Sequence, residues 1–312
     1  MPDHSDEDRT ASLMTPAKLA QLKLRPTPAA SPAAWLDQMA ADAGSGHVWR
    51  LLDLHKQLEA QLRDPDVRGA ARTCEALHEA LEQMDFALLE PKGWLARATG
   101  KGKEAAAGFV AQWERASRFA EDLADEVRDL QRRQQAQGAA FDRSLLEFGV
   151  EVRAVEKIME QGARWLQDMR NQLKTRQAAG GDQAFQDQIQ QDNARCELLV
   201  ERLKTLRTSN SAAQDVAERC KSAASRRAGV VESLQRLLEN DWKAAKPKVD
   251  AVSEQAVATG SAREGVEAAR RARKDLQSAL QQVGQDCAKL QTHEQAASDM
   301  LAGLQVALQA AA

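Results

Sequence analysis

Apolar residues recur along most of this chain at alternating steps of three and four, which is the signature of a helix with one buried stripe. From His47 to Leu62 the stripe runs through Val48, Leu51, Leu54, Leu58 and Leu62, and Asp64-Pro65-Asp66 closes it. A second helix is predicted from about Val67 to Met84 through Ala70, Cys74, Leu77 and Leu81. The clearest signal begins at Phe109 and continues through Trp113, Ala116, Ala120, Leu123, Val127 and Leu130. It lapses over Gln131–Gly138, then resumes at Phe141, Leu145, Phe148, Val152, Val155, Met159, Gly162, Leu166, Met169 and Leu173. Leu130 and Phe141 are eleven residues apart, which is a stutter if the helix is unbroken or a break at Gly138 if it is not. Unbroken, it would be ~100 Å long at about 1.5 Å per residue.

Gln177–Asp182 ends that run, with Gly180 and Gly181 suited to a left-handed cap and Asp182 to the N-cap of the next helix. The next stripe is Phe185, Ile189, Cys196, Leu199, Leu203 and Leu206, then Ala213, Val216, Cys220, Ala223, Arg227, Val230, Leu234 and Leu237. Ser209-Asn210-Ser211 reads as a turn or a soft spot, and Pro247 as a break or kink. The last stripe runs from Val266 to Leu308 and carries Arg273 and Glu294 among its apolar members. Such stripes must be covered, and short connectors make neighbouring helices antiparallel. The predicted fold is therefore all-α: an elongated, coiled-coil-like antiparallel bundle of long helices with a small helical N-terminal cap. Residues 1–46, rich in Pro, Ala, Ser and Thr, read as a disordered tail with short helices at Thr15–Leu24 and Ser31–Met39. Residues 47–104 read as a small helical region with a basic connector, and 105–312 as the bundle. The same seams serve an intermolecular coiled coil, so an oligomer stays open.

Composition agrees with helix. Hydrophobic residues are 43% of the 312, aromatics only 4%, and Tyr is absent, which suits an Ala- and Leu-filled seam better than a broad core. The net charge of −3 comes from 43 basic and 46 acidic residues interleaved along the helices. No polybasic block marks a nucleic-acid surface, and near-balanced charge disfavours lipid binding, though peripheral membrane contact stays open. The acidic start lacks the apolar segment of a secretory signal and no run approaches the ~20 apolar residues of a membrane span, so a cytoplasmic location is expected. Cys74, Cys196, Cys220 and Cys287 are far apart, fall on apolar stripe positions, and are expected as reduced, buried thiols.

No constellation of catalytic residues emerges, and neither a cofactor nor a metal is expected. Cys74 and His78 share a helix face, as do His47 and His55, but neither pair is completed to the three or four ligands that zinc requires. Most carboxylates sit three or four residues from a cation, as Asp125 does from Arg128 and Asp129 from Arg133. Gly100-Lys101-Gly102-Lys103 lacks the spacing of a phosphate-binding loop. Asp192, Arg227, Arg273 and Glu294 stand on otherwise apolar stripes, where a charge sets register or partner choice. The sharper alternative is a small anion held by Arg227, Arg273, Lys101 or Lys103. Trp113, Trp165 and Trp242 are expected as core plugs, with Trp242 just ahead of Pro247, where the pattern falters.

A set of ordered landmarks carries a family resemblance. After the leading helix pair come Leu88-Leu-Glu-Pro-Lys-Gly-Trp-Leu-Ala-Arg-Ala-Thr-Gly-Lys-Gly-Lys103, the first long helix with Phe141-Asp-Arg-Ser-Leu145, and Leu203-Lys-Thr-Leu-Arg-Thr-Ser-Asn-Ser-Ala-Ala-Gln214. Asn240-Asp-Trp-Lys-Ala-Ala-Lys-Pro247 follows. Over about residues 47–305 the chain resembles the TelA-like toxic anion (tellurite) resistance family, with Trp113 where that family carries Tyr. The resemblance implies a cytoplasmic bacterial protein linked to tellurite or envelope-stress resistance, and it brings no catalytic residues with it. The expected function is that of a non-enzymatic scaffold that meets protein partners through helical surfaces. A small-anion-binding bundle and a membrane-surface coiled coil are the alternatives.

Overall fold

The computed structural model describes residues 38–39, 41–63, 67–90 and 101–312. The fold is an all-α bundle of helices packed against each other, and no strand occurs among the described residues. Its elements are α1 (Ser45–Arg63), α2 (Arg68–Glu82), a 3-10 turn (Phe86–Leu89), α3 (Lys101–Ala179) and α4 (Gln183–Arg236). A π-helical turn (Leu237–Trp242), α5 (Lys243–Thr259) and α6 (Val266–Ala311) complete the order. The tail helix expected at 15–24, and all but the last two residues of the one at 31–39, lie outside the described residues.

The chain divides into two compact units. One comprises the described residues up to Gly46 with Glu156–Arg207, and the other His47–Val155 with Thr208–Ala312. The long helices α3 and α4 each contribute to both.

The first unit is a helical hairpin, with the segment around Met39 packed on it. Gly180 takes a positive φ of 69°, and the Asp182 carboxylate accepts a hydrogen bond from the Phe185 amide at 2.9 Å, so the chain reverses as the spacing predicts. Leu166, Met169 and Leu173 then meet Ile189, Cys196 and Leu199 in a buried cluster. Gly162 lets Leu203 approach closely, since a Cβ there would lie 2.9 Å from its Cδ2. Arg202 ties the leading segment down by donating to the Ala43 carbonyl from Nε (3.2 Å) and Nη2 (3.1 Å) and to Ser45 Oγ (2.9 Å). Burial lowers its pKa.

In the second unit the predicted stripes meet in one core. Phe109, Ala116, Leu123, Val127 and Leu130 of α3 pack with Val230 and Leu234 of α4, Val249 and Val252 of α5, and Leu276, Leu280, Cys287 and Leu290 of α6. Helices α1 and α2 are built into this unit. Their buried faces are Val48, Leu51, Leu54 and Leu58, and Ala70, Cys74, Leu77 and Leu81.

Three positions of ambiguous reading resolve as continuous helix. Gln131–Gly138 lies inside α3, so the stutter is absorbed without a break. Ser209–Ser211 lies inside α4, where Ser209 Oγ donates to the Ala307 carbonyl of α6 at 2.8 Å instead of opening a turn. Pro247 neither ends nor starts a helix. It sits in the first turns of α5, and the irregularity is displaced to the π-helical turn that precedes it. A proline removes the amide bond to residue i−4 and crowds that carbonyl, here on Lys243, and the wider turn ends one residue earlier, at Trp242. The chain reverses later, at Gly260 (φ 77°).

Candidate functional site

The charges on the apolar stripes are where structure and chemistry meet. Each of the four has defined partners. In the first unit, Asp192 accepts hydrogen bonds from Arg176 (2.9 Å), Arg195 (3.1 Å) and Gln188 (3.2 Å). Arg176 reaches it from the facing helix, so the carboxylate is fixed across the seam and the register of the hairpin with it. Arg176 also lies over the Phe185 ring at 5.3 Å.

In the second unit, Arg227 of α4 donates from Nε to Glu294 of α6 at 2.7 Å, with Nη2 at 2.6 Å from the same oxygen. Nη2 donates to the Leu62 carbonyl of α1 at 2.7 Å as well. The Arg227 side chain is only 10% exposed and that of Glu294 18%. One guanidinium thus joins three helices and satisfies a carbonyl in the last turn of α1, where no intrahelical donor exists. Arg273 acts likewise at α2: its Nη1 donates to the Leu81 (3.4 Å) and Met84 (3.1 Å) carbonyls, and its guanidinium lies 5.4 Å from the Phe86 ring centroid.

Of the four basic residues weighed as anion contacts, then, Arg227 and Arg273 are engaged by internal acceptors at separate places. Lys103 is exposed near the start of α3, and the side chain of Lys101 lies outside the described residues. The adjoining Gly102 has a backbone role. A Cβ there would lie 2.7 Å from the Gly260 carbonyl oxygen, so α3 begins in direct backbone contact with the turn between α5 and α6. The Ala262 amide donates to the Leu89 carbonyl at 2.8 Å and pins the 3-10 turn to the same place. Glycine at 102 was legible, but the 158-residue separation from its neighbour hid the reason.

The π-helical turn brings Trp242 onto Trp113, with ring centroids 5.1 Å apart and planes inclined by 26°. Trp113 Nε1 donates to Asp250 Oδ1 at 2.7 Å, and Lys246 donates to Oδ2 of the same carboxylate at 2.8 Å. Trp113 is buried as a core plug and Trp242 is half-buried against it; helical spacing alone does not reveal the stacked pair or its carboxylate anchor. The signal was the cluster of Trp, Lys and Asp residues around Pro247.

The four thiols are buried and free. Burial pushes Cys74 up to about 12, and Cys220 and Cys287 up to about 11; Cys196 is raised too. Such groups stay neutral and unreactive near neutral pH. His47 Nδ1 meets Glu151 at 2.6 Å, whereas His55 is buried with Nε2 on the Leu301 carbonyl at 2.7 Å, so Nε2 carries the proton. The two imidazoles serve different partners. No group of three or more metal-ligating side chains occurs among the described residues.

One further feature lies beside Arg227. Where the α3 seam lapses, Gln134, Gln137 and Gly138 face Ala224 and Ala228 of α4 across a cavity of about 360 Å³. Leu62, Phe141 and Leu145 supply more of its wall. Its volume falls within the range of small-molecule sites.

No protein-family model, curated protein or solved structure matches the chain. No helix among the described residues is long and apolar enough to cross a membrane.

Proposed function

We propose that the protein is a non-enzymatic helical scaffold that presents the outward faces of its long helices to protein partners. The observation that carries this reading is on α3. Leu146 and Val150, one helical turn apart, are 68% and 47% exposed. Arg143 and Arg153 continue the same exposed face. An apolar pair at i and i+4 with flanking cations, on a helix whose other face is packed in the core, suits the apolar stripe of a partner helix edged with acids. Two pairs beside this face support the same reading, because His47–Glu151 and Arg50–Glu147, both 2.6 Å, tie α3 to α1 there.

The resemblance to the TelA-like family sets the biological context: a cytoplasmic protein that contributes to resistance against tellurite or envelope-directed stress. The test expresses the chain and its Leu146→Glu/Val150→Glu variant in a tellurite-sensitive bacterial host, and titrates the purified protein with tellurite by calorimetry. The chain is expected to raise tolerance, and the variant to lose most of that protection with its helical circular dichroism intact. Full protection by the variant would overturn the reading. So would tight tellurite binding abolished by Arg273→Gln, which would make the protein an anion binder.

A further inference from the structure

We infer that the cavity between α3 and α4 is a binding site for a compact, uncharged, mainly apolar molecule, such as a two-ring aromatic. The cavity exists because two irregularities fall at one level. Continued stepping from Leu130 would place large apolar residues near 134 and 137–138, but α3 carries Gln134, Gln137 and Gly138 there. The opposing stretch of α4 carries Ala224, Ala228 and the charged Arg227. Gly138, Ala224 and Ala228 project little into the space, and a Cβ added to Gly138 would meet nothing within 4 Å.

The wall defines the chemistry. Leu62, Phe141, Leu145, Ala224 and Ala228 make most of it apolar. Its charges are of both signs: Arg227 is held by Glu294, and the lining carries one further cation, Lys221, and one anion, Asp142. A net-neutral apolar wall disfavours an ion, whose desolvation would go unrepaid. Gln61 lines the cavity too. Its Nε2 donates to Ser144 Oγ at 3.5 Å, while its Oε1 is buried and has no partner among the described residues. That oxygen is sealed off even from water, so it gives a guest no polar anchor and the apolar wall sets the chemistry.

The probes are the neutral 1-methoxynaphthalene and the anion 1-naphthoate, titrated into the full chain by calorimetry at neutral pH. Saturable one-to-one binding of 1-methoxynaphthalene is expected, with 1-naphthoate at least about tenfold weaker because its carboxylate would be desolvated without a partner. Ala228→Leu, which fills the cavity from α4, is expected to abolish binding while circular dichroism and melting temperature hold or rise. Gly138→Leu fills it from the opposite wall and serves if the first variant fails to fold. Absence of saturable binding, equal or tighter binding of naphthoate, or binding that survives both filling variants would each overturn the assignment.

Discussion

Replacing Arg227 by methionine should cost far more than the loss of one hydrogen bond. The substitution keeps most of the aliphatic stem but removes the guanidinium. Glu294, whose side chain is 18% exposed, then keeps a largely desolvated carboxylate with its principal cation gone. Breaking one side of a buried pair costs about 3–5 kcal/mol for that reason. The Leu62 carbonyl also loses the donor at 2.7 Å, worth about 1–2 kcal/mol. Arg227→Met should therefore lie toward the upper part of that range. Glu294→Gln keeps an acceptor oxygen in place and removes only the charge, so about 1–3 kcal/mol is expected. The double replacement Arg227→Met/Glu294→Met leaves no orphaned charge and packs as apolar seam, so it should recover most of the loss. The assay is urea unfolding of the wild type, Arg227→Met, Glu294→Gln, Glu294→Met and the double methionine variant, followed by far-ultraviolet circular dichroism. Repetition at high salt should change the coupling little, because a buried pair is poorly screened. The reasoning fails if Arg227→Met costs under about 1 kcal/mol, or if the two single effects add to the double within about 0.5 kcal/mol.

Two further outcomes follow from the helix interiors. Gly149, Gly229 and Gly303 lie within helices and would place a Cβ in open space, so each change to alanine should stabilise by about 0.5–1 kcal/mol in the same urea assay. Gly102→Ala should instead destabilise, by about 1–3 kcal/mol, because its Cβ would press on the Gly260 carbonyl oxygen; a neutral or stabilising effect would remove the backbone contact from the account. The buried thiols give a pH dependence. Cys74, Cys220 and Cys287 ionise near 9 when unfolded but only toward 11–12 when folded, so the native state holds protons that the unfolded state releases. Their stabilising effect is complete below pH 9 and is lost as pH rises from there through the folded values. The urea midpoint should fall between pH 8 and 10, and fall less in a variant with these three cysteines changed to alanine. All four thiols should resist Ellman's reagent until the chain unfolds; fast reaction of the native protein would contradict their burial.

The periodic part of this fold is written plainly in the sequence. Phe109, Trp113, Ala116, Ala120, Leu123, Val127 and Leu130 are all buried, as their spacing demands, and the exposed pairs Asp125–Arg128 and Asp129–Arg133 form as read. The Gly180–Asp182 reversal was equally readable, since αL glycine and an N-capping aspartate act within a few residues of themselves. Long-range partnerships were not. Arg227 and Glu294 are 67 residues apart and Arg273 is 192 from Leu81, and helical period carries no information about which stripe faces which. At Pro247 the pattern marks an irregularity but not its form, for a related reason. The local rule gives the cost of the missing amide, but not that a π-helical turn upstream relieves it while stacking Trp242 on Trp113.

The lapse at Gln131–Gly138 and the charge at Arg227 looked like two unrelated blemishes, one on each long helix. They meet at one level of the bundle. A guanidinium on a seam needs acceptors, and α1 and α6 supply them through the Leu62 carbonyl and Glu294. Had α3 continued its apolar steps through 134 and 138, the Leu62 carbonyl and Glu294 would still bind Arg227, but the cavity beside them would be filled. The pairing of polar α3 with small residues on α4 therefore does more than tolerate a buried ion pair, because the pair is satisfied by α1 and α6 without any contribution from that stretch of α3. The unfilled space is a separate property of the sequence, and it separates an anion-binding bundle from one that holds a neutral guest. The cation is already neutralised by Glu294, and the wall beside it is mostly apolar.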